Sequence, residues 1–168
     1  MQEKIYQSNL FIHFLSLLHK RPTAKSVIRG SALYPEIEGI VYLYQTNFGV
    51  IAAIEVTGLP KADDSCKNPV FGLHIHSGNK CAGAEEDPFA EVMTHYNPDD
   101  CAHPYHAGDL PPLFGNNGYA FSMFLTDRFD VNEVIGKTII IHAEPDDFTS
   151  QPSGNAGEKI ACGVITPV

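Results

Sequence analysis

The pattern of apolar and polar residues changes near Ser26 from helical spacing to the alternation of β-strands. The stretch 37–46 is rich in β-branched and aromatic residues, turn residues follow at 47–49, and a further strand-like stretch runs over 50–57. Successive strands joined by short turns are typical of an antiparallel meander. The chain from Ser26 is therefore predicted to begin with three antiparallel strands.

Four further stretches have strand character, and two loops separate them. The strand-like stretches are 70–76, 119–125, 137–142 and 159–166, and the loops are 77–117 and 144–158. A loop of roughly 40 residues is uncommon in a compact domain unless it is functional or tied down. About eight strands, no core helix and two long loops predict an all-β sandwich or barrel.

The N-terminal segment has a different pattern, and we predict a helical extension over residues 1–25 followed by one β-domain over 26–168. Its apolar residues recur at helical spacing and indicate a short amphipathic helix that ends before Pro22. The segment is a poor match to a signal peptide because Glu3 lies near the start and His13 interrupts the apolar run. This favours the cytoplasm, with export or the cell surface as the alternative.

Composition narrows the function without defining it. The formal net charge of −9 and the lack of a basic stripe argue against nucleic acid as a partner. No apolar run reaches the ~18 residues that a membrane span needs. Four cysteines allow up to two disulfides, and because no C-x-x-C pair is present, disulfides or free thiols are favoured over zinc ligation.

Histidines are the strongest chemical signal, because six of the eight lie in or beside the two loops. These six are His74, His76, His95, His103, His106 and His142. His74 and His76 alternate on a predicted strand, so both rings point to the same face and can bind one ion. The alternative for this pair is two exposed rings on a solvated face. His142, at the end of another strand, could complete a copper site with them.

A second group lies within the first loop. It consists of His95, His103, His106 and Asp109. Three imidazoles and one carboxylate form a four-ligand set that suits tetrahedral zinc. A zinc ion would also order this long loop in place of a hydrophobic core.

The order of these motifs resembles the copper/zinc superoxide dismutase family, in particular its bacterial members. The resemblance covers residues 26–168 and is carried by FGLHIH at 71–76, HYNP at 95–98, HAGDL at 106–110, His142 and GNAGEKIACGVI at 154–165. It implies an eight-stranded Greek-key β-sandwich or barrel. It also implies a copper ion and a zinc ion as cofactors.

Site residues follow from the resemblance by position. It implies copper ligands at His74, His76, His95 and His142. It implies zinc ligands at His95, His103, His106 and Asp109, so that His95 bridges the two metals. It implies that Asp146 hydrogen-bonds one ligand histidine of each metal.

Two further features are implied at the loop ends. Lys159 stands where the family usually has an arginine that attracts the anion, and the adjacent Glu158 is expected to compete for its charge. Cys81 and Cys162 match the family disulfide. Cys66 and Cys101 are outside the common pattern and form either a second bridge or free thiols.

The resemblance implies an enzyme that converts superoxide to oxygen and hydrogen peroxide by copper redox cycling, with His95 and Lys159 as catalytic residues. The alternative is a copper- and zinc-binding relative with weak or no turnover. A copper-delivery module is disfavoured because no Met-rich or C-x-x-C motif is present. A zinc-only domain is disfavoured because all four copper-ligand positions are filled. Superoxide is the expected small-molecule partner, and a homodimer is left open.

Overall fold

The computed structural model describes residues 20–62 and 69–168, and antiparallel strands dominate it. The all-β prediction is therefore confirmed. The strands are β1 (Ala24–Gly30), β2 (Glu38–Thr46), β3 (Gly49–Thr57), β4 (Val70–Phe71), β5 (Leu73–His76), β6 (Leu113–Phe114), β7 (Ala120–Thr126), β8 (Thr138–His142) and β9 (Lys159–Pro167). The helix predicted before Pro22 falls in residues that lie outside the described part of the chain.

Seven strands form one antiparallel sheet in the order β5-β8-β9-β1-β2-β3-β7, and β4 pairs with β6 in a small second sheet. The first three strands pair in sequence order, with Val41 opposite Ile54, which confirms the predicted meander. The last strand returns to pair with β1, and β7 pairs with β3. Such returns beside an early strand are typical of Greek-key connections.

The core lies on one face of the large sheet, where alternate residues of each strand are apolar and buried. Its largest fully buried side chains are Phe71, Ile28, Ile37, Leu43, Ile54, Leu73, Ile75, Leu113, Ile139, Ile141 and Ile160. Burying one such side chain contributes about 1.5–3 kcal/mol. This core supplies the rigid base from which β5 and β8 present their histidines.

β5 and β8 are buried along their whole length, and therefore on both faces. On the side away from the core, Phe89 and Val92 pack against Ile140 and Cys162 in a second apolar cluster. Both covering residues belong to the 77–117 loop, and Val92 ends its short 3₁₀-helix, Ala90–Val92. The long loop is therefore tied down by packing as well as by its polar contacts.

Two predicted details are wrong. The predicted strand 70–76 is broken at Gly72, because its amide and carbonyl bond to Glu144 and His142 and leave β4 free to pair with β6. The region before β8 also contains a short helix, α1 (Val131–Val134), whose Val131 and Val134 enter the core. Four residues are too few to produce a readable helical period, so only the capping pattern D-x-x-E at 130–133 could have indicated it.

Within residues 20–62 and 69–168, no helix has both the length and the apolar character that crossing a membrane requires.

Candidate metal centre

The structure brings all six loop-associated histidines and Asp109 into one buried region. They form two groups of four that share His95: His74, His76, His95 and His142, and then His95, His103, His106 and Asp109. Within each group, one ligand atom from every residue lies within 4.8 Å of the others. All seven residues are buried. Each group has the number and type of ligands that a single metal ion requires.

Strand pairing sets the first group. His74 pairs with Ile140 across β5 and β8, so His74, His76 and His142 all lie on the same face of the sheet. A register irregularity falls between Ile141 and His142, where β8 meets the start of β9. Such bulges commonly redirect a side chain at a functional site. The two-residue spacing of His74 and His76 on β5 thus places both rings on the face that carries the site.

The second group reaches the first because the 77–117 loop pairs with the free edge of β5. The Tyr96 amide donates to the Ile75 carbonyl at 2.7 Å, and the Ile75 amide donates to the Gly108 carbonyl at 2.9 Å. These bonds set His95 opposite His76 and Asp109 opposite His74. Gly108 permits this approach, because a Cβ there would collide with the Ile75 carbonyl.

Backbone carbonyls fix two rings of the first group. Nδ1 of His76 lies 2.9 Å from the Met93 carbonyl, and Nδ1 of His142 lies 3.2 Å from the Gly157 carbonyl. A carbonyl only accepts hydrogen bonds, so both Nδ1 atoms carry the hydrogen. The two Nε2 atoms then face each other at 3.4 Å with lone pairs. A cation between them is the arrangement that stabilises this contact.

Three other ring nitrogens are buried without a hydrogen bond among the described residues: Nδ1 of His74, Nε2 of His95 and Nδ1 of His103, the last of which lies 3.1 Å from Asp109 Oδ2 without hydrogen-bond geometry. An unpaired buried acceptor costs about 1–3 kcal/mol. The opposite nitrogen of each ring is engaged, and in His95 it is Nδ1, which lies 2.8 Å from Asp109 Oδ1. The residues present therefore fit bound metal ions, which would complete the free positions.

Asp146 joins the two groups. Its Oδ2 lies 2.7 Å from His74 Nε2, and its Oδ1 lies 2.9 Å from His103 Nε2. The amide of Phe148 donates to the same Oδ1 at 2.7 Å and holds the carboxylate in place. A carboxylate that accepts from both Nε2 atoms leaves both Nδ1 atoms free as ligands. This is the place that the resemblance implied for Asp146.

The protonation states also suit metal binding. Burial, reinforced by neighbouring imidazoles, lowers the pKa of His76 to about 3, and burial is the largest cause that lowers the pKa of His142 to about 4. The pKa of His74 is lowered further for the same reasons. Burial raises the pKa of Asp109, but the hydrogen bond from His95 and the nearby rings outweigh it and lower the pKa overall. Near pH 7 the rings of His74, His76 and His142 are therefore neutral and the Asp109 carboxylate is charged, as metal ligands must be.

A cavity of about 680 Å³ opens above the first group, and Lys159 lines it. The Glu158 carboxylate accepts a hydrogen bond from the Tyr34 hydroxyl and forms no ion pair with Lys159 among the described residues, and its competition for the Lys159 charge stays a prediction. The lysine Nζ instead lies 2.6 Å from Oδ2 of Asp87.

The structure describes three of the four cysteines. Cys81 and Cys162 form the predicted disulfide, with their Cα atoms 5.7 Å apart. Cys101 is exposed and bonded to no cysteine of the described residues, while Cys66, its possible partner, lies outside them. The Asn97 side chain bonds the Cys101 amide and carbonyl and holds this residue at the loop surface.

Two residues at the site were missed from the sequence. Asp87 belongs to the acidic run at 85–87, but the sequence could not say which acid meets Lys159. Arg128 is the second: its Nη1 donates to the carbonyls of Pro104, His106 and Asp109 at 3.0, 3.1 and 3.2 Å. A lone arginine after a strand carries no motif, so only the folded loop reveals this contact.

This arrangement of buried histidines on a Greek-key sheet defines a two-metal protein of the β class, and the comparisons with known proteins identify its family. The profile of the family described as copper/zinc superoxide dismutase (SODC) matches residues 37–165. The chain belongs to the copper/zinc superoxide dismutase family, whose cofactors are copper and zinc.

Individual relatives agree. The chain is 32% identical over 145 residues to Superoxide dismutase [Cu-Zn] 2 of Aquifex aeolicus, covering 77% of this chain and 80% of the relative. It is 33% identical over 143 residues to Superoxide dismutase [Cu-Zn] of Photobacterium leiognathi, covering 76% and 78%. It is 35% identical over 158 residues to Superoxide dismutase [Cu-Zn] of Schizosaccharomyces pombe, covering 84% and 96%.

Proposed function

We propose that this chain converts superoxide to oxygen and hydrogen peroxide, with copper in the first group and zinc in the second. The observation that carries the proposal is the double membership of His95. Its Nδ1 lies against Asp109 in the second group, while its Nε2 is buried and free on the other side of the ring. One imidazole with a different nitrogen toward each group is the arrangement that couples two metal sites.

The ligand assignment follows from the two groups. The copper ligands are His74, His76, His95 and His142, and the zinc ligands are His95, His103, His106 and Asp109. Copper supplies one-electron redox chemistry when it is bound. Zinc is redox-inactive and suits the carboxylate-containing set.

The chain's own residues attract the anion and hold a proton near it. Lys159 places a positive charge in the cavity that leads to His142, its partner across β8 and β9. His95 can hold a proton at Nε2 without moving, since its Nδ1 stays engaged in the second group. Asp146 keeps His74 and His103 in one tautomer throughout. Together these residues attract an anion, supply a proton and keep the ligands fixed.

Metal content measured beside superoxide consumption tests the proposal. We expect one copper and one zinc per chain, together with rapid catalytic consumption of superoxide in stopped-flow or pulse-radiolysis assays. Copper binding without turnover would instead select the non-catalytic alternative, and zinc binding without copper affinity would select a structural domain.

A matched pair of variants tests the ligand assignment. His142→Gln changes only the first group, and His106→Gln changes only the second. The first variant is expected to lose copper and activity while it keeps zinc, and the second to lose zinc selectively. Equal loss of both metals in both variants would contradict two sites that share one ring.

We also propose that a second copy of the chain packs on the outer face of β1, β2, β3 and β7. Cross-strand partners share a face, and the row Val27–Ile40–Glu55–Phe121 with the row Tyr44–Ile51–Leu125 makes this face largely apolar. Val27, Phe121 and Leu125 are about half exposed. Charges of both signs accompany the apolar rows, so the face can match itself about a two-fold axis. The charged residues are Lys25, Arg29, Glu38 and Glu55.

Light scattering during size-exclusion chromatography tests this interface. The full chain is expected to elute as a dimer, and Phe121→Lys with Leu125→Lys as a monomer. Tyr105→Lys is the control, because Tyr105 is also exposed but lies in the 77–117 loop. A monomeric wild-type chain at micromolar concentration would contradict the interface.

A further inference from the structure

The cavity above the first group is poor in positive charge for a site that takes an anion. Among the described residues that line it, Lys159 is the one lysine or arginine. Four carboxylates share the lining: Glu85, Glu86, Asp87 and Glu158. Among the described side chains of this lining, Lys159 is therefore the one lysine or arginine that an entering anion meets.

That charge is paired with Asp87. The Lys159 Nζ lies 2.6 Å from Asp87 Oδ2, and the two side chains are 20% and 45% exposed. The other carboxylate oxygen of Asp87 accepts from the Phe89 amide at 3.2 Å. The Asp87 carbonyl accepts from the amides of Ala84 and Ala90 at 3.1 Å each. Asp87 is thus held at both its side chain and its backbone.

The two partners also belong to one rigid unit. Cys81, six residues before Asp87, is bonded to Cys162, three residues after Lys159. Phe89 and Val92 pack on Cys162 and Ile140 directly beside the bridge. The disulfide and this packing hold the acid and the lysine at a fixed separation, so the pair needs little additional ordering.

We propose that Asp87 is a positioning residue that holds Lys159 and offsets its charge, and so limits anion binding at the cavity. This inference rests on the proposed function, because the anion concerned is superoxide. A lysine ammonium attracts anions through its net charge, and an adjacent carboxylate at hydrogen-bond distance cancels most of that field beyond a few ångströms. The fixed geometry of the pair thus restrains the one described cation that faces the site.

Azide, a small anion, can test the charge state of the cavity without turnover. We would titrate azide into copper- and zinc-loaded protein, follow the copper absorption band, and compare Asp87→Asn with Glu86→Gln. Both changes remove one negative charge from the cavity lining, but Asp87 is the partner of Lys159. Asp87→Asn is expected to tighten azide binding by about three- to tenfold, and Glu86→Gln by less than about twofold.

A double variant tests whether the effect passes through Lys159. In a Lys159→Gln background, Asp87→Asn is expected to change azide affinity no more than Glu86→Gln does. The superoxide rate constant of Asp87→Asn is expected to rise on the order of two- to fivefold at low ionic strength and to fall more steeply with added salt. Equal effects of Asp87→Asn and Glu86→Gln, or an unchanged effect in the Lys159→Gln background, would overturn the proposal.

A copper-independent measurement separates this inference from the dismutase proposal. Acetic anhydride modifies Lys159 in proportion to the availability of its amine, and peptide mass spectrometry reports the rate. We expect Asp87→Asn to speed acetylation of Lys159 several-fold, with Lys137 as an internal reference. An unchanged rate would overturn the pairing even if the protein dismutates superoxide, and a faster rate would support the pairing even in a protein that does not.

Discussion

Asp146 is the residue through which the two groups of ligands depend on each other. One oxygen faces His74 and the other faces His103, both at hydrogen-bond distance in a fully buried setting. Because a carboxylate can only accept, it sets the same tautomer in both rings. A carboxamide would offer one acceptor and one donor, so one of the two rings would meet a donor and lose this constraint.

Asp146→Asn is therefore expected to lower the affinity for metal about 10- to 100-fold. Competition with a chelator, read separately for copper and zinc, measures this effect. Asp147→Asn is the matched control, because the neighbouring carboxylate is exposed and bonds Ser150 and Thr149 instead of a histidine. Equal metal affinities in the two variants would refute the linking role of Asp146.

At the scale of elements, the 77–117 loop needs support from outside itself. Arg128, between β7 and α1, donates to three carbonyls of that loop, two of which belong to His106 and Asp109. All three bonds come from one charged nitrogen with two hydrogens, so one hydrogen is shared between two carbonyls, and a well-made bond from such a donor is worth about 1.5–3 kcal/mol. The arginine thus holds the loop backbone at His106 and Asp109, two members of the second group.

Arg128→Gln is expected to weaken zinc binding and to lower the free energy of unfolding of the zinc-loaded protein by about 2–4 kcal/mol. Urea unfolding with a zinc titration measures both quantities. Arg29→Gln serves as the comparison, because its ion pair with Glu38 is about two-thirds exposed and is worth at most about 1 kcal/mol. Zinc affinity unaffected by the loss of Arg128 would mean that the loop holds its shape alone.

The disulfide connects the same loop to the last strand. Cys81 and Cys162 are 81 residues apart, and closing so long a loop in the unfolded chain stabilises the fold by about 4.5 kcal/mol in the chain-entropy account. The variant with Cys81→Ser and Cys162→Ser is expected to lose about that much in guanidinium unfolding. Cys101→Ser, which removes the free thiol, should unfold like the wild type. An unchanged free energy of unfolding in the double variant would mean that the crosslink does not stabilise the fold.

Prediction from the sequence succeeds for the strands, whose features follow from local periodicity. The H-x-H spacing requires His74 and His76 to share a strand face, and the β-branched runs of β2 and β3 predict the meander, because both follow from local periodicity. The path of a 40-residue loop follows no period. Its edge pairing at Ile75, the choice of Asp87 among three acids and the Arg128 contacts depend on tertiary packing and emerge only in the fold.

At the scale of the whole molecule, the negative net charge opposes the attraction of an anion to the metal site. The formal net charge of −9 repels an anion at long range, and within about 10 Å, the screening length at 0.1 M salt, the local groups decide. Copper, zinc and Lys159 are then the positive charges that matter. Salt dependence of the superoxide rate consequently reports the balance between repulsion by the net charge, which salt weakens first, and attraction by the groups of the cavity.

The metal-free protein is expected to have a free energy of unfolding that depends on pH. His76 and His142 titrate near 6.5 in the unfolded chain, but their pKa values are about 3 and about 4 in the fold. Between these limits the unfolded chain binds more protons than the folded one. The buried neutral rings therefore contribute stability above about pH 6.5, and that stability is lost as the pH falls from there toward 3.

Urea unfolding of the metal-free protein at intervals from pH 7.5 to 4 is expected to show a fall on the order of a few kcal/mol, because a tenfold change in proton affinity corresponds to about 1.4 kcal/mol. Protein loaded with copper and zinc should resist this fall to lower pH, since bound metal holds the ring nitrogens that protons would otherwise take. His142→Gln removes one titrating ring and should flatten the metal-free profile. If the free energy of unfolding of the metal-free protein stayed constant between pH 6.5 and 4, water would have to enter the first group, and burial would not be holding His76 and His142 neutral.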